Sequence, residues 1–147
     1  MARFDDEWLC QQIVEKAADA IIFADRDGII RLWNSGAESI FGYPAAEALG
    51  EPLDLIVPER LRDRHWEAFH KVMATGITKY GAELLAVPAM IRDGSRISIE
   101  FTIVLLTDEA GDPLGTAALI RNVTERWQRE KELKKRLIEL EKWESTR

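Results

Sequence analysis

Of the groups in this 147-residue chain that could do chemistry, one sits in a pattern that demands an explanation: His65. The segment from Pro58 to Ala74 reads as a helix, opened by a proline at its first position and stopped by Gly76. At roughly 100° per residue, Leu61, Ala68, Phe69 and Val72 fall within one narrow apolar stripe, and His65 lies inside it. Glu59, Arg60, Arg62, Asp63 and Glu67 lie mostly elsewhere, and His70 points away from the stripe. An imidazole on an apolar face has two chemical readings. It is a neutral ring hydrogen-bonded to a backbone carbonyl, or it is an axial ligand to haem iron, for which a neutral imidazole in a water-excluding slot is suited.

Other reactive constellations are missing. Cys10 is the one cysteine, so neither an internal disulfide nor a cysteine metal set can form. There is no Gly-x-Ser-x-Gly, phosphate-binding loop or His-Glu-x-x-His, and no close carboxylate pair with an evident role. Glu100 alternates with Phe101 along a strand and faces solvent. The chain is therefore not expected to be an enzyme. A net charge of −6 excludes the basic face that nucleic-acid phosphates require. No apolar run approaches membrane-spanning length, and the acidic start MARFDDEWLC has no apolar core of a signal peptide. A cytoplasmic location without membrane contact is the expectation.

The elements that must position His65 follow from periodicity and turn signals. Trp8, Leu9, Ile13 and Ala17 recur at helical spacing, giving an amphipathic helix within residues 1–20. Ile21–Ala24 and Ile29–Trp33 read as strands around the turn Asp25–Gly28, where glycine supplies a positive φ. Short helical pieces punctuated by Gly42, Pro44 and Gly50 form a bent connector to the His65 helix. Strands over Tyr80–Ile91, Ile97–Leu106 and Leu114–Val123 make an antiparallel meander. Ile99, Phe101 and Ile103 alternate along the middle one and share a face; ordinary sheet core is enough to account for them. From Thr124 onward the chain reads as a helix, with Leu133, Leu137 and Leu140 at four–three spacing between Glu130 and Glu144. The layout is α+β: an antiparallel sheet with one face under helices, core over 21–123 and a C-terminal helix over 124–147.

The order of elements, together with Ile22-Phe23-Ala24-Asp25, Asp27-Gly28, Trp33-Asn34, Phe41-Gly42-Tyr43, Arg92-Asp93-Gly94 and Arg121-Asn122-Val123-Thr124-Glu125, resembles a PAS domain over roughly residues 14–126. Asn122 stands where an acidic residue is usual. The resemblance implies a five-stranded antiparallel sheet flanked by helices, a sensory role, and a final helix that carries the signal. The light-sensing flavin subfamily's reactive cysteine motif has no match, and Cys10 lies outside the domain. Arg62-Asp63-Arg64-His65 resembles the haem-ligating helix of FixL-type PAS domains. That implies haem b with His65 as proximal ligand, in a sensor of a diatomic gas or redox state. By the same resemblance Lys71 and Lys79 are placed as partners for the haem propionates, although solvated surface lysines explain them equally. Tyr80, Phe101 and Ile103 fall at apolar distal positions. Leu85 replaces the distal arginine and offers no hydrogen-bond donor to bound oxygen. The alternative is a cofactor-free PAS domain that dimerises or holds a small metabolite.

Trp8, Trp127 and Trp143 lie on the terminal helices, where exposed rings mark packing surfaces. A homodimer through those helices is the expectation, with an unidentified downstream signalling protein as the further partner. The competing reading packs them back on the chain's own sheet.

Overall fold

A computed structural model describes residues 4–78 and 84–146. Its first hairpin forms because Asp25 organises its own turn: its carboxylate accepts from the backbone N–H of Asp27 (2.9 Å) and Ile29 (3.1 Å), and its carbonyl from Gly28 (2.9 Å). Gly28, at φ 76°, takes the left-handed conformation that closes it. The strands so joined are β1 (Ala20–Asp25) and β2 (Ile30–Trp33). The meander β3 (Leu85–Met90), β4 (Arg96–Thr107) and β5 (Pro113–Asn122) completes one antiparallel sheet of order β2-β1-β5-β4-β3. The first and last strands of the core are thus hydrogen-bonded neighbours, and both ends of the domain lie side by side.

Between β2 and β3 run α2 (Ser35–Phe41), α3 (Ala45–Ala48), two single turns of 3₁₀ helix (Leu53–Leu55 and Glu59–Leu61) and α4 (Arg62–Thr75). The inner face of the sheet contributes Ala20, Ile22, Ala24, Ile99 and Ile120 to a core completed by Trp33, Ala37, Phe41, Ala48 and Ile56. Trp33 satisfies its indole N–H on the Tyr43 carbonyl at 2.9 Å, so its ring is buried without an orphan donor. The flanking helices are α1 (Asp6–Lys16), capped by Asp5, and α5 (Thr124–Ser145); neither buries a residue fully.

Two readings of the His65 segment change, its start and its buried face. Pro58 is extended and one 3₁₀ turn follows it, so α4 starts at Arg62 and Leu61 precedes the α-helical stripe. The buried side chains of α4 are Phe69 and Met73, whereas Ala68 is exposed and His65 and Val72 are half-buried. The stripe has rotated because Trp66, not Ala68, is drawn inward: a Cβ on Gly28 would stand 2.1 Å from the Trp66 ring. The third strand is described from Leu85; the earlier part of its expected span, with Lys79 and Tyr80, lies outside the described residues.

Candidate functional site

Two polar side chains reach the interior from the connector, and they are treated differently. Asn34, 1% exposed, is fully engaged. Its Oδ1 accepts from the N–H of Ile21 (2.8 Å) and Ala37 (2.9 Å), and its Nδ2 donates to the carbonyls of Val14 (2.7 Å) and Asp19 (3.0 Å). One carboxamide therefore ties the end of α1, the start of β1 and the first turn of α2. Asn34 is the N-cap of α2; its grip on α1 depends on chain segments that only the fold brings together.

His65 is the opposite case. Its Nδ1 is buried and has no hydrogen-bond partner among the described residues. The ring stands 5.2 Å from Trp66, edge-on, and 6.2 Å from Phe69. Burial pushes its pKa below the usual histidine value; the Asp54 carboxylate opposes that and His70 reinforces it. Trp66 donates from its indole to Asp54 at 2.6 Å and stacks on exposed His70 at 5.6 Å. Arg62 bonds the carbonyls of Val57 (3.1 Å) and Asp54 (3.2 Å), pinning the start of α4 to the 3₁₀ turn. This Trp66–Asp54–Gly28 contact was not foreseen, and no local pattern announces it.

The remaining candidates divide by location. Leu85 faces Phe101 across the β3–β4 ladder, Phe101 faces Ile120 and Ile103 faces Ala118, so these side chains and Ile99 share the inner face. Ile99 is buried; Leu85, Phe101 and Ile103 are half-buried. Lys71 is exposed on α4.

A small, partly open space that the described residues bound between sheet and connector measures ≈ 40 Å³ and is lined by Ile22, Ala24, Leu53, Ile56, Thr116, Ala118 and Ile120. None of the described haem candidates lines it. A ligand pocket for a drug-sized molecule measures ~300–1,000 Å³, and a porphyrin belongs in that range. Among the described residues this space is an order of magnitude smaller than haem needs, and His65 is not part of its lining. A larger open groove, ≈ 510 Å³, runs over the surface between α2 and the β3–β4 turn, lined by residues including Phe41, Gly42, Arg92 and Asp93, and it too excludes His65.

At the far end of the sheet the chain turns into α5 through a compact polar junction. Val123 N–H donates to the Ser98 carbonyl (2.8 Å), and the Thr124 hydroxyl accepts from Ser98 N–H (2.9 Å). The same hydroxyl donates to Asn122 Oδ1 at 2.6 Å. An amide thus serves where an acid is usual. Arg126 pairs with Glu100, and Arg121 with Asp19 at 3.1 Å. Beyond this root, Trp127, Leu133, Leu137 and Leu140 are half or more exposed. No helix among the described residues is long and apolar enough to cross a membrane, and no group of three or more metal-ligating side chains occurs among them.

A family model described as PAS fold matches residues 14–128. An uncharacterised protein of Azorhizobium caulinodans is 32% identical over 132 residues, covering 86% of this chain and 18% of that protein. The sensor protein FixL of Bradyrhizobium diazoefficiens is 28% identical over 130 residues, covering 88% and 25%. The chain thus spans a quarter or less of these relatives' length. Among solved structures, a domain from Colwellia psychrerythraea superposes with a TM-score of 0.72 at 21% identity, covering 82% of this chain and 99% of that one.

Proposed function

We infer, from the premise that the chain belongs to the PAS family, that its sensory input is read in the narrow interior between sheet and connector, and that α5 is its output. As a PAS domain it is a sensory signalling module and not a catalyst. The single observation that carries the reading of input and output is the topology: β5, which floors the interior with Thr116, Ala118 and Ile120, runs directly into the Asn122–Thr124 junction that seats α5. A change in the interior displaces β5 and biases α5 between two settings.

The interior's size favours a small molecule, or none, over haem. A haemin titration of the purified chain tests this, and the expected result is no sharp Soret band. A saturable band that His65→Ala abolishes and His70→Ala preserves would reinstate haem b on His65, with a diatomic gas or redox state as the signal.

The partner reading is a homodimer through α1 and α5, followed by contact with a downstream signalling protein. Exposed Leu133, Leu137 and Leu140 at four–three spacing support a short two-stranded seam. Deleting residues 124–147 is expected to halve the mass seen by light scattering; an unchanged mass would remove the seam from the account.

A further inference from the structure

The ≈ 40 Å³ space is a dimple made by small side chains. Ala24 and Thr116 are cross-strand partners on β1 and β5, and Ala118 follows Thr116 on the same face. Ile22 and Ile120 form the walls. Leu53 and Ile56, from the 3₁₀ turn, form the roof. A space that holds one water-sized group occupies ~10–15 Å³, so this one accepts a molecule of roughly two to four non-hydrogen atoms. No charged side chain lines it, and an ion would lose its hydration without a counter-charge. Thr116 is the one polar side chain in the lining, and its hydroxyl has no hydrogen-bond partner among the described residues.

We propose that the dimple over Ala24, Thr116 and Ala118 binds a compact, neutral organic molecule with one hydroxyl or carbonyl, held by apolar contact with Ile22, Ile56 and Ile120 and by a hydrogen bond to Thr116. The proposal rests on the reading that this interior is the input, and it names the class of ligand. Filling the space restores dispersion contacts that its lining otherwise lacks, which supplies affinity without rearrangement. The roof is also wired outward: Leu53 N–H donates to the Gly28 carbonyl (3.1 Å) and Met90 N–H to the Ile56 carbonyl (2.9 Å). Asp54, between them, holds Trp66 of α4. A ligand larger than the dimple has to lift that roof, so size selection and signal share one element.

The test uses the full chain, with 2-propanol as the neutral polar probe, xenon as the apolar probe and isopropylammonium as the charged one. Methyl signals of Ile22, Ile56 and Ile120 are followed by NMR, and amide exchange is followed at the start of α5. Saturable shifts of those methyls with 2-propanol and with xenon, and none with isopropylammonium, are expected. Thr116→Val should weaken 2-propanol binding about fivefold, the loss of one hydrogen bond, and leave xenon binding unchanged. Ala118→Leu should abolish both; if that variant does not fold, the isosteric Thr116→Val carries the test. Shifts that never saturate, or that persist equally in Thr116→Val for 2-propanol, would overturn the proposal. Saturable binding without any change in exchange at α5 would leave the site standing and overturn the input reading instead.

Discussion

The Asn34 junction and the His65 helix are two halves of one connector built on opposite principles. Asn34 gives its oxygen to two backbone donors and its nitrogen to carbonyls of α1 and the β1 entry. The chain also closes on it sterically: a Cβ at Gly36 would stand 2.1 Å from the Asp19 carbonyl oxygen, backbone that cannot give way. His65 has a buried nitrogen with no partner among the described residues, and ring contacts with Trp66 and Phe69 in place of hydrogen bonds. A buried polar group with every bond made specifies one arrangement, because each alternative leaves orphans. A buried polar group left unpaired specifies little, and the structure around it is the part a signal can move cheaply. The amino-terminal half of the domain is accordingly the frame, and α4 with the 3₁₀ roof beside it is the adjustable part.

The largest test of that contrast is Asn34→Ala. It orphans Ile21 N–H and Ala37 N–H and takes the Nδ2 donor from the carbonyls of Val14 and Asp19, and about 3 kcal/mol of stability should disappear. Denaturant unfolding at constant m-value measures it; a loss below about 1 kcal/mol would mean the junction relaxes and is no frame.

A smaller effect, with the reverse sign, is expected of His65→Leu. Removing an unpartnered buried nitrogen while keeping an apolar side chain should leave stability at pH 7 unchanged within about 1 kcal/mol, or raise it. A loss comparable to that of Asn34→Ala would show that the imidazole has a partner after all.

The smallest effect is a pH slope. Burial lowers the folded-state pKa of His65, so below about pH 6.5 the unfolded chain takes up a proton that the folded chain resists. The stability held above that pH is then lost as pH falls toward the folded-state pKa. Wild type should show this decline in thermal or urea unfolding between about pH 7.5 and 5.5, where carboxylates contribute little. His65→Leu should flatten it, and an identical slope in both proteins would remove His65 from the account.

Much of the frame was legible in the residues. Asp25–Gly28 announces a tight turn because only glycine takes its conformation without strain, and the alternation of Ile99, Phe101 and Ile103 announces a shared face. The site was legible only in part. The sequence placed His65 inside the apolar stripe of its helix, and the structure half-buries it on α4, but the buried face turns from Ala68 toward Trp66 and Met73. Periodicity records which residues are apolar, and it does not record that Gly28, far along the chain, leaves a seat for Trp66. The dimple was invisible for a related reason. Ala24, Thr116 and Ala118 are unremarkable singly, and their joint effect depends on strand register.

Local chemistry, then, decided this protein's elements. Turn glycines, helix caps and hydrophobic alternation act over a few residues, and such forces can be read along the chain. The tertiary structure alone decided how much room remains inside. Interior volume is the small difference between close-packed side chains brought together from β1, β5 and the connector, and no single segment carries that difference.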